Sequence, residues 1–122
     1  MRFFSTLFKQ EPAESADPYT LDAAEYAVRF VLTNVPHKLV DVRSPAEFAA
    51  GHVTGAQNIP LPEVSEQMSR IPRDMPVMLY CRSGNRSGQA MHQLQMAGYT
   101  NVYNIGGLSG LAAQGLPIEK ND

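Results

Sequence analysis

Residues 77–87 read Val77-Met78-Leu79-Tyr80-Cys81-Arg82-Ser83-Gly84-Asn85-Arg86-Ser87. The unbroken run from Val77 to Tyr80 lacks polar alternation, which predicts a strand buried on both faces, the kind that parallel sheets contain. It leads straight into a cysteine. After a glycine-containing turn, residues 87–97 place Ala90, Met91, Leu94 and Ala97 at helical spacing, and Gly98 stops the pattern. A strand, a turn and a helix in that order predict that Cys81 stands at the carboxyl end of a parallel strand, where open α/β sheets bind their ligands.

The flanking sequence continues the alternation. Upstream, residues 39–42 read as a strand, and Ser44-Pro45-Ala46-Glu47 combines an N-cap, a proline at the first helical turn and a capping-box glutamate, starting a helix that Gly51 ends. Residues 57–59 read as a second strand and residues 63–70 as a further helix. Farther upstream, Leu21, Ala24, Val28, Val31 and Leu32 recur every three to four residues, predicting a helix over 21–32 capped by Thr20 with these side chains on its buried face. Downstream, residues 102–105 form a strand, Gly106-Gly107 a turn, and residues 108–114 a last short helix closed by Gly115 and Pro117. The fold class is therefore α/β, a mainly parallel sheet with helices on both faces.

The 122 residues fit one domain, and 43% hydrophobic with 18% charged residues is the balance of a globular chain. Its bounds are set at residues 19–118, after an arm and linker over 1–18 and before a tail over 119–122. The arm carries Phe3, Phe4, Leu7 and Phe8 at helical spacing, and residues 11–18 hold two prolines and three acids. No apolar stretch approaches the roughly 18 residues of a transmembrane helix. A single cysteine excludes an internal disulfide, and the absence of a Cys/His cluster gives no expectation of a metal or other cofactor. A reducing, cytoplasmic setting is the expectation. Net charge is −2, but residues 75–118 contain Arg82 and Arg86 and no carboxylate, a local field suited to an anion or a thiolate. Nucleic acid is not expected as a partner, because no basic stripe is present.

The loop after Cys81 predicts its own chemistry. If it curls round the sulfur, the amides of residues 82–87 form an anion-binding nest, to which the positive end of the next helix adds. Gly84 permits the backbone angles such a turn needs, and Ser83, Asn85 and Ser87 can hold it with their side chains. In those surroundings, with Arg86 nearby, a thiol pKa falls from about 8.5 toward roughly 3.5–7.5 and the thiolate becomes a nucleophile.

At these residues the chain resembles the rhodanese family, the sulfurtransferases that carry sulfur as a cysteine persulfide. The likeness runs from about residue 21 to 118. It includes Leu39-Val40-Asp41-Val42-Arg43 with Pro45, Glu47 and Phe48, then Gly51-His52-Val53, Gly55-Ala56 and Asn58-Ile59-Pro60. It continues through residues 81–87 to Gly106-Gly107 and Gly115-Leu116-Pro117, with Leu111 where the family commonly has an aromatic residue. The resemblance implies that Cys81 forms the persulfide, that Arg82, Ser83, Gly84, Asn85, Arg86 and Ser87 bind the sulfur and the substrate anion, and that Arg86 is the side-chain ligand. Arg43 ends another strand at the same sheet edge, either facing the site or pairing with Asp41 or Glu47 to brace the loops. Asp41, Glu47 and His52 read as structural; His37 and His92 have no site context.

The implied partners are a small sulfur-containing anion such as thiosulfate and an acceptor, cyanide or a thiol, or a protein that donates or accepts sulfur. Two other readings stand beside this one. A relay module would pass persulfide between proteins with little turnover on small molecules. A cysteine-dependent phosphatase or arsenate reductase would use a related loop, but certain phosphatases resembling this fold place five residues between Cys and Arg, and here only four separate Cys81 from Arg86.

Overall fold

The computed structural model describes residues 17–121; the arm over residues 1–9 and most of the linker at residues 11–18 lie outside them. In chain order come α1 (Ala23–Tyr26), prolonged by a π-helical turn (Ala27–Val31), β1 (Lys38–Asp41), α2 (Pro45–Ala50), β2 (His52–Val53) and β3 (Gln57–Asn58). Two 3-10 turns (Leu61–Glu63 and Met68–Arg70) lead to β4 (Val77–Cys81), α3 (Asn85–Met96), β5 (Val102–Gly107), α4 (Leu108–Ala113) and β6 (Ile118–Glu119). The first sheet is parallel, in the order β3-β1-β4-β5, and β2 pairs antiparallel with β6.

Strand β4 is buried along its whole length because it lies between two cores. Val77, Leu79 and Cys81 face Ala90, Met91 and Leu94 of α3, whereas Met78 and Tyr80 face Tyr26, Phe30, Ile105 and Leu111. The period-2 alternation of a strand thus feeds both layers, and each large apolar side chain so enclosed contributes about 1.5–3 kcal/mol relative to exposure. Leu111, fully buried, fills its place in the second layer. Among the described residues no helix is long and apolar enough to cross a membrane.

The first helix departs from its sequence pattern. Val28 and Leu32, expected on the buried face, are 58% and 74% exposed, and Tyr26, Ala27 and Phe30 are buried instead. Ala24, also expected there, is exposed before the π-helical turn begins, so the face that packs is the one carrying the rings of Tyr26 and Phe30 into the second core; in the π-helical turn itself Leu32 N–H donates to Ala27 C=O at 2.8 Å. Asp22 caps this helix by accepting the Glu25 N–H at 2.8 Å. Thr20, expected as the cap, lies in an extended stretch bridged to Asn104 of β5. The helix expected over 63–70 resolves into the two 3-10 turns, and the Tyr99 hydroxyl lies 2.7 Å from the Ile71 carbonyl and 3.0 Å from the Met68 carbonyl, which also accepts the Ile71 N–H. Strand β2, within the stretch read as a link between α2 and the second strand, pairs with β6, whose Glu119 falls in the stretch read as a tail.

Gly106 and Gly107, expected as a turn, complete β5. Leu79 is opposite Asn104 but Cys81 is opposite Gly107, so β5 contains one extra residue there, and Gly106 takes a positive φ of 91°. Such a bulge bends the strand toward its neighbour. A Cβ on Gly107 would stand 2.2 Å from the Arg82 carbonyl oxygen, so the chain after Cys81 passes against bare backbone. Gly107→Ala is expected to force that segment away and lower the melting temperature by an amount equivalent to about 1–3 kcal/mol. Gly110→Ala, in α4 with only an ordinary 3.5 Å contact to Ala23, is expected to stabilise by about 0.4–1 kcal/mol. Thermal unfolding of the two variants checks this; equal melting temperatures would contradict it.

Candidate active site

The last residue of β4, Cys81, turns its sulfur into a loop that closes on it. Gly84, at φ 96° in the left-handed region, reverses the chain and directs its N–H to Cys81 Sγ at 3.0 Å. Gly84 is also the residue at which α3 begins, so the sulfur lies by the positive end of a twelve-residue helix. One turn into that helix, the buried Ser87 hydroxyl lies 3.4 Å from Sγ and 2.7 Å from Asn104 Oδ1. Burial is the largest single influence on the Cys81 thiol and pushes its pKa up. The Ser87 hydroxyl and the backbone amides of Ser87, Ser83 and Gly84 together outweigh it, and the pKa falls below the ordinary cysteine value.

Two of the three arginines expected at the site, Arg86 and Arg43, are held by carboxylates. Arg86 meets Glu47 in a bidentate pair at 2.8 and 3.0 Å, so its guanidinium joins the start of α3 to the start of α2. Glu47 does double duty: it completes the capping box with Ser44, and its carboxyl, held first by Arg86 and then by Ser44, drops to a pKa of about 2. Arg43 lies buried against Asp41, with Nη2 2.8 Å from Oδ2, and it also donates to the Gly51 carbonyl at 2.5 Å. Asn58 donates to the Asp41 and Arg43 carbonyls, both at 3.0 Å, and so joins β1 to β3. This cluster braces the end of β1 beside the Cys81 loop.

The structure therefore brings Cys81, Ser83, Gly84 and Ser87 round one sulfur and places the others farther out. Asn85 accepts from Gln89 on the exposed side of α3. Arg82 is exposed and lines a cleft of about 630 Å³ together with Arg43, Glu47, Leu108, Ser109 and Ile118. A second cleft of about 610 Å³, beside Tyr26, His37 and Lys38, lies at the amino end of β1, away from Cys81. His52 is stacked on Phe48 and bonded to the Phe48 carbonyl through Nδ1 at 2.8 Å, and His37 meets the Tyr26 hydroxyl and the Val35 carbonyl. Among the described residues no cluster of three or more His, Cys, Asp or Glu could hold a metal ion.

Asn104 was not singled out by sequence reasoning, yet it ties the loop together. Its Nδ2 donates to the Gly84 carbonyl at 3.0 Å, and its Oδ1 accepts the Gly106 N–H at 3.1 Å. The available signal was a polar side chain inside the otherwise apolar strand 102–105, where a buried amide needs partners.

A profile of the rhodanese-like domain matches residues 24–114. The chain is 47% identical over 81 residues to a sulfurtransferase of Allochromatium vinosum, covering 66% of this chain and 76% of that protein. It is 45% identical over 75 residues to the thiosulfate sulfurtransferase PspE of Escherichia coli, covering 60% and 72%. A Bacillus subtilis protein, YqhL, is 46% identical over 70 residues, but the match spans 57% of this chain and just over half, 56%, of that protein. Among solved structures, an Escherichia coli rhodanese with bound anions superposes with a TM-score of 0.64 at 40% identity, covering 70% of this chain and 99% of the other. With the profile match running from α1 through α4 and containing the whole cysteine loop, the chain belongs to the rhodanese-like domain family and is a rhodanese-like enzyme.

Proposed function

We propose that the protein is a sulfurtransferase that carries sulfane sulfur as a persulfide on Cys81. It takes the sulfur from a small anion such as thiosulfate and delivers it to cyanide or a thiol. The observation that carries this reading is the Gly84 N–H at 3.0 Å from a thiol at the carboxyl end of β4, with further amide and hydroxyl donors beside it. Such a nest stabilises charge on sulfur without proton transfer. In the first half-reaction Cys81 Sγ attacks the outer sulfur of thiosulfate; the Sγ–S bond forms, the donor's S–S bond breaks, and sulfite leaves with the electron pair. In the second, the acceptor bonds to the outer sulfur and the pair returns to Sγ. The Arg82 side of the loop, open to the cleft, supplies the positive field for an approaching anion.

The alternative phosphoryl or arsenate chemistry is less well served. A leaving alkoxide needs a proton donor. Glu47 is ionised well below neutral pH, and both Asp41 carboxylate oxygens accept from the Arg43 side chain. The chain between Cys81 and Arg86 is one residue shorter than in those phosphatases.

Intact-mass analysis of the reduced protein after thiosulfate treatment is expected to show one added sulfur, removed by reductant and absent in Cys81→Ser. Hydrolysis of an aryl phosphate with no added sulfur would overturn the assignment, and sulfur uptake only from a persulfide-bearing protein would assign a relay. Because the thiolate is the attacking species and its pKa is lowered, the rate of sulfur uptake is expected to rise with pH with a midpoint below that of a free cysteine thiol titrated under the same conditions. A midpoint above that value would contradict the site description. Since Arg86 and Glu47 form one clamp, Arg86→Ala and Glu47→Ala are expected to slow thiosulfate uptake by similar factors. A far larger loss for Arg86→Ala in stopped-flow assays would make Arg86 a direct anion ligand.

A further inference from the structure

The amide of Asn104 can be oriented without reference to Ser87. Nδ2 faces the Gly84 carbonyl, which only accepts, and Oδ1 faces the Gly106 N–H, which only donates. Exchanging the two atoms would set donor against donor and acceptor against acceptor, so the backbone fixes the side chain. Oδ1 is then an acceptor 2.7 Å from the Ser87 hydroxyl, and Cys81 Sγ is a second acceptor 3.4 Å from the same hydroxyl. A hydroxyl has one proton to give. All three groups are buried, and among the described residues these are the two side chains that the Ser87 hydroxyl meets.

We propose that Asn104 is a positioning residue that competes with Cys81 Sγ for the single Ser87 proton, so that the hydroxyl turns to sulfur when Sγ carries charge and back to Asn104 when it does not. The inference rests on Cys81 being the nucleophile. With a neutral thiol, Ser87 donates to Asn104 and its oxygen is free to accept the S–H. With a thiolate, the proton swings to Sγ, and Asn104 Oδ1 retains the Gly106 N–H, so neither buried acceptor is left bare. When the persulfide forms, the charge moves to the outer sulfur and the Ser87 proton returns to Asn104. As an acceptor removes that outer sulfur, the electron pair comes back to Sγ and Ser87 turns to meet it. The loop thereby keeps a donor for the departing thiolate without wasting one on the loaded enzyme.

The charged groups on the surrounding elements are Arg86 of α3, held by Glu47 of α2, Arg82 after β4, and the Asp41–Arg43 pair at the end of β1; β5 and α4 carry none. These are unaltered by substitution at positions 87 and 104, which permits a double-mutant cycle. Thiolate formation is followed by ultraviolet absorbance against a Cys81→Ser blank in the full-length protein, with Asn104→Ala, Ser87→Ala and the double variant. This readout uses no sulfur donor, so it stands or falls apart from the sulfurtransferase assignment.

Removing Asn104 also loosens Gly84, and that effect is present whether or not Ser87 is there. The competition adds a second effect only when Ser87 is present. The expected result is that the shift caused by Asn104→Ala is more downward in the presence of Ser87 than in the Ser87→Ala background, by roughly half to one pH unit, the size of one ordinary hydrogen bond gained by the charged form. Equal shifts in the two backgrounds would overturn the proposal and leave Asn104 a purely structural brace. Should Asn104→Ala not fold, the isosteric Asn104→Asp keeps and strengthens the acceptor. Its upward shift of the midpoint is expected to shrink in the Ser87→Ala background, and an unchanged shift there would equally overturn the proposal.

Discussion

The arrangement depends on a close approach between two backbones. After Cys81 the chain must turn back over its own sulfur while β5 passes alongside, and a side chain on Gly107 would collide with the Arg82 carbonyl. Because Gly107 has no Cβ, the extra residue in β5 can bend that strand toward the loop, and Gly84 can adopt the left-handed angles that aim its N–H at Sγ. Asn104 then fastens the two segments from within, through the Gly84 carbonyl on one side and the Gly106 N–H on the other. The pocket for charge on sulfur is thus made chiefly of backbone, which keeps its position better than long side chains do.

The charges near this pocket are organised so that few face it. Asp41 neutralises Arg43 at the end of β1, and Glu47 neutralises Arg86 between α2 and α3. Both pairs fasten loops at the carboxyl edge of the sheet. The buried pair in particular is held by several hydrogen bonds, and removing either partner would leave an uncompensated charge. What remains for an incoming anion is the exposed Arg82 and the dipoles of the loop. This division suits a reaction in which negative charge shifts along a chain of sulfur atoms and no strong acid is needed.

Much of the fold was legible because buried strands and helix stops speak plainly in sequence. The apolar run into Cys81, the Ser44–Glu47 capping box and the α3 stripe of Ala90, Met91 and Leu94 all found their places. Other features depend on tertiary contacts. The face on which α1 packs, with Tyr26 and Phe30 inward and Val28 and Leu32 outward, is set by the second core, the two-residue strands β2 and β6 are too short to show a period, and the 3-10 turn around Met68 is met by a hydroxyl from distant Tyr99. At the site, residue types announced the loop, but pairing did not follow from them: that Arg86 binds Glu47 and Ser87 meets Asn104 depends on where α2 and β5 fall in space. Asn104 showed itself only as a polar residue in an apolar strand.

In the proposed reaction, sulfur resides on Cys81 between two separate half-reactions. Initial-rate kinetics with thiosulfate and cyanide varied together address it most directly. The account requires parallel double-reciprocal lines, the pattern of a substituted-enzyme mechanism, with no turnover in Cys81→Ser. Intersecting lines, which require both substrates to be bound at once, would contradict it.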